Sequence, residues 1–345
     1  MIKNVTVIVA LFLLFSCNSE YQPRDIKSIQ IHKITIDSTS IRAIHIVNDS
    51  TLYYAGSNGT IGFTQSNGNE WKVKRFRHQD SIIPHFRSIA SNGKDVFALS
   101  IANPALLYRY SDESIVYKEE NEKVFYDAMS FADDKFGVAM GDPTEDCISI
   151  IITKDGGKNW TKVPCDKIPT VVEGEAAFAA SNTNIKIIDK TIYIVTGGAK
   201  ARLFKSIDFG ESWEVFDTPI IQGDGPQGIY SVDFADAQNG IVVGGNYSKP
   251  EENKANKAIT TDGGKTWQLV ADGLNPNYKS CVQYVPDTNG KEVFAVGKTG
   301  ISYSKDGGIN WTKLSTEGYY GIQFVNKDVA WLHGHQKLGK IRLPK

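Results

Sequence analysis

Residues Thr153 to Trp160 read TKDGGKNW, and the same word returns three times: SIDFGESW at Ser206 to Trp213, TTDGGKTW at Thr260 to Trp267, and SKDGGINW at Ser304 to Trp311. A fifth copy, TQSNGNEW at Thr64 to Trp71, has Ser66 in place of the aspartate. The pattern is Ser/Thr-x-Asp-x-Gly-x-x-Trp. Each copy sits between alternating apolar runs, such as Ile150-Ile151-Ile152 before the first and Val163 after it. That arrangement reads as two strands joined by a tight turn. The aspartate accepts hydrogen bonds from backbone N–H groups of its own turn. The glycine takes a positive φ that other residues avoid, and the tryptophan opens the return strand and buries a large apolar face. Five of the six tryptophans fall in these words. Asp155, Asp208, Asp262 and Asp306, with Trp160, Trp213, Trp267 and Trp311, are therefore read as turn staples rather than ligand-binding groups.

The words begin at positions 64, 153, 206, 260 and 304. The first gap is double, and Tyr108 to Tyr117 (YRYSDESIVY) fills it as a blurred copy, giving a period of 44 to 54 residues. Periods of this size with four strands each mark a β-propeller. The blades are expected at 41–76, 85–118, 125–163, 176–216, 229–270, 279–314 and 319–345. The last is short, and the alternating run Ile29 to Ile36 is expected to complete it and remove the sheet edges. The expectation is one all-β, seven-bladed propeller over residues 28–345, with six or eight blades as alternatives.

The front of the chain stands apart. Residues 1–16 carry Lys3 and an apolar run, Val5 to Phe15, that is short for a bilayer span, so they read as a signal peptide. Leu14-Phe15-Ser16-Cys17 resembles a lipobox, which implies lipidation of Cys17 and a short tether over 17–27. The expected location is the bacterial envelope, lipid-anchored, on the outer membrane facing the periplasm. Export favours disulfides. Cys147 and Cys165 flank the word at Thr153 to Trp160 almost symmetrically, so they lie nearly opposite on one hairpin and are expected to pair. The alternative is two reduced thiols, with Pro164 shifting the register. Cys281 reads as a small buried apolar residue. Lysine plus arginine number 38 against 39 acidic residues, with no basic stripe for nucleic acid. No Cys/His spacing suggests a metal, no motif suggests a cofactor, and a monomer is expected.

In such a fold the short turns share one face and the long loops the other. The long loops here are Phe76 to Phe86, Gly141 to Asp146, Pro164 to Glu175, Asp217 to Gly228 and Gly244 to Lys257. Long loops on a rigid scaffold carry function, so one working face is expected, opposite the Asp-containing turns. The residues opening each innermost strand would ring the channel there: Arg42, Arg87, Asp127, Glu175, Tyr230, Ser280 and Tyr320. Asp142 lies in a nearby loop, and Arg202 is expected at the rim. Arginine suits carboxylate or phosphate groups bidentately. The competing reading is that these charges pair with one another along a wet channel.

The repeated word resembles the Asp box, or bacterial neuraminidase repeat. Two groups of Asp-box propellers resemble this chain. Sialidases imply an arginine triad, a Tyr–Glu nucleophile pair and an aspartate acid. Arg42, Arg87 and Arg202 would form the triad, Tyr320 and Glu175 the pair, and Asp80 the acid; Phe86-Arg87 matches their Phe/Tyr-Arg-x-Pro motif except that Ile89 replaces proline. Photosystem II stability/assembly-factor-like propellers of non-photosynthetic bacteria resemble the mature chain over nearly its whole length, and imply a non-catalytic scaffold. The expected function is therefore a binding or assembly scaffold acting on a protein or glycan of the envelope through the loop face. The alternative is a glycoside hydrolase or lyase on an acidic glycan. It would use Glu175 with Asp142 or Asp127 as carboxylates about 5 to 10 Å apart, and Tyr320 as a nucleophile.

Overall fold

The computed structural model describes residues 21–344; the expected signal peptide and Cys17 lie outside them. Apart from one 3-10 turn at Cys165–Lys167, every regular element among the described residues is a strand. The strands alternate in and out of buried layers, and successive antiparallel hairpins make a β-propeller around a central channel.

The strands form six hydrogen-bonded sheets, not the expected seven. The reason lies at the chain ends. Strand Ile31–Ile46 pairs with Leu52–Gly56 through Ile41 to Ile46, and with Val329–Arg342 through Ile31 to Thr35. The N-terminal strand is therefore not the edge of a separate last blade. It lies in the middle of a six-stranded sheet that fuses the two ends of the chain. Ile44 and Ile322 both line the channel, so this sheet presents two strands to the axis. The fusion leaves no open edge where the termini meet.

The repeated turns have the geometry their sequence implies. The Asp262 carboxylate accepts from the backbone N–H of Lys265 at 3.0 Å and of Thr266 at 2.9 Å, and from both nearby threonine hydroxyls. Trp267 Nε1 donates to Gly264 O at 3.1 Å. Ser66 takes over part of this role in the variant copy, where its hydroxyl accepts from Glu70 N–H at 2.8 Å. The glycine at the fifth position of each full box carries a positive φ and presses on another blade. A Cβ there would come within 2.5 Å of Phe97 at Gly157, of Ile152 at Gly210 and of Ile241 at Gly308, and within 2.4 Å of Leu203 at Gly264. The boxes thus join each sheet to the one before it, as well as closing their own hairpins.

Burial raises the box carboxylates' proton affinity, but the hydrogen bonds they accept outweigh it. Asp262 is held down at about 2, and Asp155, Asp208 and Asp306 are lowered as well. A depressed native value stabilises the fold above the unfolded value near 4 and is lost as pH falls toward 2. The melting temperature should therefore drop steeply between pH 4 and 2, and less steeply in Asp262→Asn. A melting temperature unchanged across that range would contradict this role.

Cys147 and Cys165 form a disulfide, Cα atoms 5.5 Å apart, across the hairpin in which Ile151 faces Lys162. Cys281 is free and buried. The described part of the expected tether is not free. Arg24 inserts between Glu292 and Asp328, donating to Glu292 Oε2 at 2.6 Å and to Asp328 Oδ1 at 3.1 Å. Tyr21 donates to Glu292 at 2.6 Å, and Ile26 is buried among Tyr303, Tyr319 and Leu343.

Candidate functional site

On the face opposite the boxes the channel opens into a cavity of 620 Å³. The starts of the innermost strands deliver Arg42, Arg87, Tyr230, Ser280 and Tyr320 to its wall. The small-residue stretch Ala177 to Ala180 crosses the opening and adds Phe178, and the loops add Asp142, Tyr247 and Lys298. Phe178 stacks on Tyr230 with centroids 3.8 Å apart, and Tyr278 meets Tyr230 edge-on at 4.9 Å. Two glycines make room for this stack: a Cβ on Gly197 would lie 2.3 Å from the Phe178 ring. One wall is therefore aromatic.

The other wall is cationic. The Arg42 guanidinium lies 3.9 Å from the Tyr320 ring centroid, and its Nε is buried without a hydrogen-bond partner. Arg87 Nη1 donates only to Ala179 O, at 3.4 Å. Neither has an ion-pair partner among the described residues. Burial lowers the proton affinity of both, and for Arg87 the nearby Arg42 charge adds to burial and brings it down to about 10. Two desolvated like charges in one concavity make a site that an anion would relieve.

The carboxyls divide. Asp142 accepts from Ala177 N–H at 2.8 Å, and burial pushes it up to about 6. Asp127 is fully buried with both oxygens unpartnered; burial, then Asp142, raise it well above the usual range despite Arg87. It does not line the cavity. Glu175 is not at the mouth, contrary to the sequence reading. It belongs to a two-residue strand, Glu175–Ala176, paired with Gly197–Gly198, while the innermost strand of the next sheet begins at Ile185. Glu175 is buried and accepts four hydrogen bonds, from Arg202 at 3.0 and 2.5 Å, Thr196 at 2.7 Å and Val172 N–H at 3.2 Å. Arg202 is therefore engaged by Glu175, and neither residue lines the cavity.

Deeper in, the channel narrows to a space of 220 Å³, where Lys186 pairs with Asp233 at 2.6 Å. The self-paired, polar channel thus describes the inner half, and the unpaired arginines describe the mouth. Phe178, Tyr278 and Lys298 escaped the sequence reading as site residues. Phe178 and Tyr278 lie on irregular segments and Lys298 in a two-residue hairpin turn, none with periodicity; the one available signal is the run of small residues on either side of Phe178, Ala176-Ala177 and Ala179-Ala180-Ser181. Among the described residues no cluster of His, Cys, Asp and Glu has the form of a metal site.

The BNR/Asp-box repeat profile matches residues 302–313, where the last full box turns, and four copies share the bond from the leading serine or threonine hydroxyl to the aspartate. The chain is a β-propeller that carries Asp-box repeats. The Sortilin-Vps10 profile (Sortilin, neurotensin receptor 3) also matches this propeller, over residues 148–299. No curated protein matches the propeller significantly. Among solved structures, YCF48 bound to D1 peptide superposes with a TM-score of 0.67 at 14% identity, covering 94% of this chain and 100% of that one. YCF48 from Cyanidioschyzon merolae gives 0.59 at 12% identity, covering 91% and 98%. The WD40 repeats of RRP9 give 0.66 at 12% identity, covering 92% and 100%. At such identities these likenesses speak for the fold.

Proposed function

We propose that this propeller is a binding or assembly scaffold whose mouth holds an acidic segment of a protein partner, and that Cys17 anchors it by lipid to the bacterial envelope as a monomer. The observation that carries the reading is the pair Arg42 and Arg87, desolvated and without carboxylate partners in a cavity with an aromatic wall. Arginine on a tyrosine face leaves its edge donors for a carboxylate. The YCF48 structure determined with a D1 peptide lends support, since a propeller of this shape takes a peptide. The lipobox-like Leu14 to Cys17 supports the anchor. The hydrolase reading loses its carboxylate pair, because Glu175 is neutralised by Arg202 and Asp127 does not line the cavity.

A glutamate-rich peptide should bind the purified protein, with affinity falling roughly 30-fold, about 2 kcal/mol, in Arg87→Ala. Equal affinity in the variant, measured by fluorescence anisotropy, would overturn the site assignment. The same titration should show a pH effect. Asp142 loses its negative charge as pH falls through about 6, while peptide glutamates with ordinary values near 4.3 stay largely ionised. Affinity is thus expected to rise severalfold from pH 7.5 to 5.5, and Asp142→Asn should flatten the profile. Affinity that falls over this interval would contradict it.

A further inference from the structure

We infer that the Asp-box face is the side turned toward the membrane and the mouth is the side turned away; the inference rests on the lipid-anchor reading above. The argument starts from where the N-terminal segment is bound. Tyr21 and Arg24 both hold Glu292, which follows a short turn of the box face, and Arg24 also holds Asp328 in the turn between Gly321–Asn326 and Val329–Arg342. Asp25 pairs with Lys305 at 2.9 Å, and Lys305 sits inside the last box. Tyr303 donates its hydroxyl to Arg24 O at 2.8 Å. Every one of these anchors belongs to the face of short turns or to a strand leading into it, and none belongs to the loops around Arg42 and Arg87.

The strap is firmly held. The Glu292 side chain is fully buried and that of Arg24 is 12% exposed. Burial works against the Glu292 charge, but the hydrogen bonds from Arg24 and Tyr21 prevail and hold its carboxyl below the usual range. At neutral pH the contact is therefore a fully charged, hydrogen-bonded pair.

Length then decides the orientation. Cys17 precedes Tyr21 by four residues, which span at most about 14 Å when extended. A strand such as Gly321–Asn326, with six residues, is about 20 Å long, and the loops of the mouth lie beyond its far end. The leash is shorter than the propeller is thick. A lipid on Cys17 therefore draws the box face to the bilayer, and the mouth cannot reach the surface while the strap stays docked. The partner that fits the mouth is accordingly one that approaches from the aqueous side.

The test uses the lipidated full chain in phosphatidylethanolamine/phosphatidylglycerol vesicles containing a headgroup spin-labelled lipid. Cys147 and Cys165 are bonded to each other and Cys281 is buried, so one added cysteine takes a fluorophore selectively. Ile309→Cys places it on a box tip, where Ile309 is 50% exposed, and Lys249→Cys places it on the loop face. Quenching is expected to be at least fivefold stronger at position 309 than at 249, and the difference should shrink in Arg24→Ala, which loosens the strap. Equal quenching, or stronger quenching at 249, overturns the orientation while leaving the anchor standing. Failure of the Cys17-intact chain to partition into vesicles, or partition that survives Cys17→Ala unchanged, overturns the anchor and the orientation with it.

Discussion

Arg202→Ala is expected to destabilise the propeller by about 3 to 5 kcal/mol, the usual cost of leaving one member of a buried pair unmatched. The Glu175 side chain is fully buried and that of Arg202 is 13% exposed, so solvent cannot replace the lost guanidinium. Arg202 also donates to Thr170 O at 2.9 Å, and Glu175 accepts from Val172 N–H, so the pair pins the segment that leads into Ala177 and Phe178. The variant should therefore lose peptide affinity along with stability. Arg202→Met combined with Glu175→Gln should recover part of the stability, because no isolated charge remains. Chemical denaturation of the three variants reads this directly. A loss under 0.5 kcal/mol in Arg202→Ala, on the scale of exposed ion pairs, would show that Glu175 is not a structural charge and would reopen its candidacy as a catalytic group.

Gly157→Ala should cost about 3 kcal/mol, from two sources. The backbone there has φ of +86°, a left-handed conformation that costs an L-residue about 1 to 2 kcal/mol. The added methyl would also meet the Phe97 ring at 2.5 Å, and overpacking adds about 1 to 3 kcal/mol. That ring cannot retreat easily, because it stacks on Phe131 at 5.2 Å and lies near Trp160 at 6.5 Å. Gly93→Ala separates the two sources, since Gly93 has φ of +85° but nothing within 4 Å of a new Cβ. Its cost should be near that of the backbone alone. Equal costs for the two substitutions would mean that the box tip does not couple neighbouring blades.

Much of the fold was legible because its unit is local. An aspartate, a glycine and a tryptophan at fixed spacing determine a turn whose aspartate and leading serine or threonine make their hydrogen bonds within eight residues, and the strands on either side follow from alternation. The mouth was legible to the extent that it sits on those strands: Arg42, Arg87, Tyr230 and Tyr320 open innermost strands and line the cavity. Glu175 was misplaced because its two-residue strand lies ahead of the real innermost strand, Ile185–Ile188, and the eight intervening residues run without periodicity, the first four across the mouth and Ser181 to Thr183 along the inner channel. The number of sheets was misjudged because pairing between Ile31 to Thr35 and Lys337 to Ile341 spans the whole chain, and alternation in each run carries no information about the partner. The docking of Arg24 was invisible for the same reason: Glu292 is 268 residues away.

The mouth, and not the box face, is expected to receive an acidic partner segment. Hydrogen exchange of the propeller with and without a saturating glutamate-rich peptide tests it most directly. Protection is expected at residues 176–181, 226–230 and 278–280, with the box turns at 154–159 and 261–266 unchanged. Protection confined to the box turns, or a peptide that leaves every segment unchanged, would contradict it.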